Sequence, residues 1–142
     1  ADVGRALEAE RVLAGEVARF GRTVEEQERE TRATQTRSGE RALYDRVEED
    51  VTLTGVVAFE VVDPRAREAA CEGEVERTAR GRIVRGEYEG RVRTLDLDRR
   101  ERRLFDPERL AEQERAVEEA LLDELAEAVA VAAFDCALEA VR

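Results

Sequence analysis

The sequence lacks the residue types on which most catalytic sites depend. It contains no His, and all of its 24 Lys and Arg positions are Arg. Without His there is no Ser-His-Asp or Cys-His arrangement and no imidazole zinc site, and without Lys there is no P-loop and no Schiff base. The composition therefore predicts a protein that is not an enzyme, with no catalytic residues, no cofactor and no metal ligands.

Asn, Met and Trp are also absent, and Ile83 is the single Ile. Lys, Asn, Met and Ile have AT-rich codons, so we attribute their loss or scarcity first to the mutational bias of a GC-rich bacterium. Thermal adaptation is the second explanation, because it accounts for the loss of Asn and Met but not for the loss of Lys.

Long apolar runs and an excess of positive charge are missing as well. No apolar run reaches the roughly 18 residues of a membrane span, and the most apolar stretch, 126–141, still contains Glu127, Asp135 and Glu139. The net charge of -11 argues against a nucleic-acid binder, which needs a basic surface to displace counterions from phosphates. We therefore expect a protein partner or a homo-oligomer, no nucleic acid and no membrane span.

The chain is nevertheless expected to fold. Its 142 residues, 42% of them hydrophobic, are enough to bury one core without a structural metal. We predict a single α+β domain over 1–142. Because the sequence has neither an initiator Met nor a signal peptide, we expect either a chain that starts after processing or a fragment of a longer one.

Cys71 and Cys136 each fall on the apolar side of a predicted element, the first in a strand and the second in a helix. Because both face inward, we predict a disulfide between them. Disulfides persist outside the reducing cytosol, so this pairing favours a periplasmic or extracellular protein. The alternative is a cytoplasmic protein in which both Cys residues are reduced and act as small apolar core residues.

The N-terminal third favours helix by its hydrophobic spacing. Apolar residues recur at three- to four-residue steps and predict an amphipathic helix over about 3–20, carried by Leu7, Leu13, Val17, Phe20 and Val24. The segment 22–46 is ambiguous: the helix continues toward Thr36, or Thr31–Arg37 forms a Thr-rich edge strand. Ser38 and Gly39 end either element.

The middle of the chain alternates with the period of strands. The clearest strand covers about 48–62, with alternate apolar side chains on one face, at Val51, Leu53, Val57, Phe59 and Val61. Pro64 ends it, and a second strand is predicted over about 69–79. Gly81 separates the second from a third strand over about 82–97, within which Gly86 and Gly90 suggest a bulge or a bend.

A long helix is predicted over about 107–141. Asp106, Pro107 and Glu108 form a typical helix start, with an N-cap acceptor, a Pro at the first helical position and an acid near the positive end of the dipole. Beyond Leu125 the apolar coverage widens, so that the helix is either central to the core or half-covered by a partner. We take five residues as interface candidates: Val129, Val131, Phe134, Leu138 and Val141. The Leu13 to Val24 stripe is a second candidate contact.

Together these elements predict an α+β fold: an antiparallel meander of three to four strands, packed by the long C-terminal helix and by the N-terminal helix. The strands supply one apolar face, and the two helices are expected to cover it.

Two charged motifs are candidate binding sites, one for calcium and one for an anionic partner. Asp96 and Asp98 have the alternate spacing of a calcium loop, but Glu101 stands where such a loop has Gly, so we interpret them as outward acids paired with nearby Arg. The one basic cluster comprises Arg99, Arg100, Arg102 and Arg103. Arg suits an anionic glycan, a lipid headgroup or an acidic protein face, while the alternative is a solvated connector that balances the neighbouring acids.

The stretch from Val51 to Ala69, a Val- and Thr-rich strand followed by a short turn and another strand, resembles hairpins of small bacterial envelope lipoproteins. The likeness is to those related to curli-secretion and penicillin-binding-protein-activator lipoproteins. It implies a non-catalytic accessory or assembly role at the periplasmic face and no particular binding residue. A mature lipoprotein begins with Cys, whereas this chain begins with Ala1, so a lipid anchor is expected to be absent or upstream.

The sequence thus favours a binding or assembly domain of the bacterial cell envelope that acts through a protein–protein surface. The first alternative is a cytosolic acidic adaptor whose N-terminal helix forms a coiled coil. The second is a carboxylate-dependent glycan-acting domain, which requires a cleft lined by paired acids and by Tyr44 or Tyr88.

Overall fold

The computed structural model describes residues 12–63 and 68–141. The elements follow one another as three long strands, a 3-10 turn, a short fourth strand and two helices, the second helix much longer than the first. Their bounds are β1 (Val12–Thr36), β2 (Arg41–Asp63), β3 (Glu68–Glu87), the 3-10 turn (Val92–Thr94), β4 (Leu95–Asp96), α1 (Arg99–Arg103) and α2 (Pro107–Val141).

The four strands form one sheet in the order β3-β2-β1-β4. β1, β2 and β3 are neighbours in both chain and space, which is a meander. β4 runs antiparallel to β1 and aligns Asp96 with Gln35 and Leu95 with Thr36. The predicted α+β class with an antiparallel meander and a long C-terminal helix is therefore confirmed.

The predicted N-terminal helix is wrong where the structure describes it, because residues 12–20 belong to β1; its first part, 3–11, lies outside the described residues. Val17 and Phe20 are 62% and 58% exposed, so their helix-like spacing corresponds to no buried helical face. Backbone pairing with β2 determines the conformation instead, and local periodicity does not detect such long-range pairing.

The ambiguous segment 22–46 is extended as well. β1 continues to Thr36, and β2 begins at Arg41, so the strand interpretation holds and the helical one is wrong. Gly39 lies in the turn between them with a φ of 91°, a conformation that disfavours residues with a Cβ. Its N–H donates to the carbonyl oxygen of Thr36 at 2.9 Å, which closes the turn.

The predicted break at Gly81 is also wrong, since β3 runs without interruption from Glu68 to Glu87. A Cβ at Gly81 would collide with the side chain of Val117 in α2. The glycine therefore marks a close approach between strand and helix rather than the end of a strand. The predicted third strand over 82–97 is in fact the end of β3, the 3-10 turn and the two residues of β4.

The described chain forms two compact units, each containing part of the sheet and part of α2. The first unit comprises 12–21, 53–63, 68–79 and 119–141. Its core packs α2 onto β2 at Gly55, where an added Cβ would lie 2.8 Å from Leu125. Leu121 lies beside this contact and is 1% exposed. A disulfide joins Cys71 of β3 to Cys136 of α2, with the two Cα atoms 6.1 Å apart, as the sequence predicts.

The second unit comprises 22–52 and 80–118. One of its apolar clusters is built around the buried side chains of Tyr44, Leu95 and Leu104. Phe105 meets the Tyr44 ring edge-on, with the ring centroids 5.6 Å apart. This cluster fixes α1 and the loop before α2 against the sheet.

Candidate functional site

The second unit contains a cleft of about 840 Å³, a volume within the range of small-molecule sites. Strand β1 contributes 30–33 to its lining, and β2 contributes Tyr44 and Arg46. The other lining residues come from β3, from α1 and the residues that flank it, and from the start of α2: Val84, Asp98, Arg100, Glu101, Leu104 and Arg109. Four arginines line it: Arg32, Arg46, Arg100 and Arg109. We call this site the arginine cleft.

The floor of the arginine cleft is held by hydrogen bonds. The Tyr44 hydroxyl donates to Oε2 of Glu101 at 2.8 Å, and burial raises the pKa of Tyr44, with the Glu101 bond adding to the effect. The hydroxyl therefore remains protonated and serves as a donor. Glu101 also accepts from the backbone N–H of Asp98 at 3.3 Å, so its carboxylate is fixed from two directions.

Asp98 in turn binds Glu101 and caps the N-terminus of α1. Its Oδ1 accepts from the backbone N–H of Glu101 at 2.8 Å, which completes a capping box at the start of the helix. This backbone hydrogen bond lowers the pKa of Asp98. The α1 side of the cleft is thus preorganised by the residues that begin the helix.

The four arginines of the cleft differ in their partners. Arg32 pairs with Glu30 at 3.2 Å and Arg46 pairs with Glu48 at 2.7 Å. The charge of Arg100 helps to lower the pKa of Asp98, but neither Arg100 nor Arg109 forms a salt bridge with a carboxylate in the described ranges. Two strong donors are therefore left for a ligand.

The four arginines of the predicted basic cluster have different surroundings in the structure and do not form one site. Arg100 lines the arginine cleft, but Arg102 donates through Nε to the carbonyl oxygen of Leu97 at 3.0 Å. Arg103 lines a smaller neighbouring cleft with Asp106, and Arg109 contributes to both clefts. Arg99 is exposed and lines neither cleft.

Sequence reasoning missed Arg32, Arg46 and Arg109 as neighbours of Arg100. They lie on three different elements, and only the pairing of β1 with β2 and the packing of α2 bring them together. No local spacing in the sequence signals this arrangement.

The two acids with calcium-loop spacing belong to different elements. Asp96 lies in β4 opposite Gln35, and Asp98 caps α1. Within 12–63 and 68–141, no group of three or more His, Cys, Asp or Glu residues is arranged to hold a metal ion.

A second candidate lies in the first unit, on the outward face of α2. Val131 is 57% exposed, and Phe134 and Leu138 are each 39% exposed. Their spacing of three and four residues places them along one side of the helix, and we call them the α2 stripe. Of the other predicted interface residues, Val129 is half-buried, and the side chain of Val141 lies outside the description.

The surroundings of the α2 stripe are acidic. Glu127, Asp135 and Glu139 are exposed on the same part of the helix, and α2 contains no basic residue after Arg115. The stripe is therefore an apolar surface with negatively charged borders.

Comparison with known proteins found no family model, no curated protein and no solved structure that matches this chain. Among the described residues, no helix has the length and apolarity needed to cross a membrane. The arginine cleft and the α2 stripe are therefore the two candidate functional sites of the described residues.

Proposed function

We propose that this chain is a non-catalytic binding and assembly domain of the bacterial cell envelope, acting through a protein–protein surface on α2. The α2 stripe carries this proposal. It holds three large apolar side chains in contact with solvent on a helix whose opposite side is packed on the sheet. Contiguous exposed apolar surface of this kind is typical of interaction sites.

The negative charge around the α2 stripe indicates which charge the partner should carry. We expect a protein segment whose apolar face is flanked by basic side chains, because these would meet Glu127, Asp135 and Glu139 across the contact. Pairing with α2 of a second copy would instead bring two acidic borders together. Such repulsion disfavours a symmetric helix pair.

The disulfide supports a location in the periplasm or outside the cell. A bond between Cys71 and Cys136 persists in the periplasm or outside the cell, whereas cytosolic thiols are kept reduced. The resemblance to envelope lipoproteins agrees with this location and stays a prediction. The cytosolic coiled-coil alternative loses its main element, because residues 12–20 form a strand.

The proposal is tested with a synthetic amphipathic helical peptide that has Leu on one face and Lys on both borders. We expect the full chain to bind it, with an affinity that falls as salt is added because the charged borders are screened. Phe134→Glu or Val131→Glu should weaken binding by about tenfold or more, since each places a charge in the apolar contact. Isothermal titration calorimetry measures the affinity, and thermal unfolding verifies that each variant is folded.

Leu122→Glu is the matched control, because Leu122 is 59% exposed on the same helix but lies outside the stripe. We expect it to change the affinity by less than about twofold. A second control peptide carries the same Leu face with Glu borders and should bind more weakly. Equal binding of both peptides, no binding, or equal losses for Phe134→Glu and Leu122→Glu would contradict the proposal.

A further inference from the structure

We propose that the arginine cleft binds a saccharide that carries an anionic group, either a phosphate or a carboxylate. This inference is independent of the α2 stripe, because the cleft belongs to the second unit and the stripe to the first.

The available donors select an anion. Arg32 and Arg46 are already paired with Glu30 and Glu48, whereas Arg100 and Arg109 line the same cleft and form no salt bridge among the described residues. The planar guanidinium offers two parallel N–H groups, which match the oxygen spacing of a carboxylate or a phosphate. An anionic group bound here would accept hydrogen bonds from both guanidinium groups.

Neither the whole molecule nor the arginine cleft carries a net positive charge. The chain carries a net charge of -11, which repels anions in general. Arg46 is paired with Glu48, so the four arginines of the cleft are balanced by the carboxylates of Glu30, Glu48, Asp98 and Glu101. Anion binding in this cleft therefore depends on the donors of Arg100 and Arg109 and not on a net positive charge.

The acids point to a ligand that also bears hydroxyl groups. The carboxylates of Glu30, Asp98 and Glu101 line the cleft, and each carboxylate oxygen can accept more than one hydrogen bond. A sugar offers several hydroxyl donors to such acceptors, whereas inorganic phosphate at neutral pH offers only one or two. The volume of about 840 Å³ also exceeds what a single phosphate needs.

The test compares four probes by ligand-observed NMR and calorimetry with the full chain: glucose 6-phosphate, glucuronate, glucose and inorganic phosphate. We expect at least one of the two anionic sugars to bind about tenfold or more tightly than glucose and than phosphate. Whether glucose 6-phosphate or glucuronate binds more tightly shows which of the two groups, phosphate or carboxylate, the cleft prefers. Arg100→Gln and Arg109→Gln should each weaken that binding about ten- to hundredfold, because each removes charge-assisted hydrogen bonds.

Arg99→Gln is the matched control, since it removes the same charge from α1 outside the cleft. It should change the affinity by less than about twofold. The proposal is overturned if neither anionic sugar binds better than glucose, if phosphate alone binds as tightly as glucose 6-phosphate, or if Arg99→Gln costs as much as Arg100→Gln. Thermal unfolding of each variant establishes that lost binding is not lost folding.

Discussion

Replacing both Cys71 and Cys136 with Ala is expected to lower the free energy of unfolding by about 4 kcal/mol. The bond closes a loop of sequence separation 65 between β3 and α2, and a cross-link over such a length removes many conformations from the unfolded chain. The loss should appear as a fall in melting temperature of roughly 10 to 15 °C. Urea unfolding followed by circular dichroism measures the free energy.

Reduction of the unmodified protein is the natural control, because it breaks the same bond without removing the two side-chain sulfurs. The reduced protein and the double variant should lose comparable stability. A double variant as stable as the oxidised protein would show that the cross-link does not constrain the unfolded chain.

Leu121→Ala is the second change with a large expected effect, a loss of about 2 to 5 kcal/mol in the free energy of unfolding. Leu121 is 1% exposed and lies with Leu125 over Gly55 of β2. Truncation removes buried methyl groups and leaves a cavity where helix and strand meet. Thermal and urea unfolding both report the change.

The adjacent residue provides the matched control. Leu122 is 59% exposed, so Leu122→Ala removes the same atoms from solvent-facing surface and should change stability by less than about 0.5 kcal/mol. Similar losses for the two variants would contradict the assigned orientation of α2 in the first unit.

The parts of the fold that local signals encode were predictable. Asp106 accepts from the backbone N–H of Glu108 at 3.0 Å, and α2 begins at Pro107, as expected from residues that favour a helix start. The alternation of Val51 and Leu53 with polar neighbours likewise predicted a strand with one buried face. Such signals depend only on neighbouring residues.

The parts that depend on long-range pairing were not predictable. Val17 and Phe20 have helical spacing, yet they lie exposed on β1, because pairing with β2 supplies backbone hydrogen bonds that the periodicity does not reveal. Gly81 predicts a strand break in the sequence, but in the structure it allows the side chain of Val117 to pack closely against β3. In both cases the deciding partner is distant in the sequence.

The two candidate sites differ for the same reason. The α2 stripe lies within one helix, and the wide apolar coverage around Phe134 was compatible with a central position in the core or with a surface half-covered by a partner; Phe134 is 39% exposed. The arginine cleft combines Arg32, Arg46, Arg100 and Arg109 from four elements, and the sequence brought forward only Arg100 among them. Tyr44 was considered as a cleft residue, but its bond to Glu101 depends on the fold.

The central claim is a covalent link between β3 and α2, and the proposed oxidising compartment depends on it. Alkylation of freshly isolated protein under denaturing conditions, followed by intact mass spectrometry, tests both. We predict no alkyl group on Cys71 or Cys136 before reduction and one on each afterwards. Alkylation of both residues without a reductant would contradict the account, because it would show two free thiols.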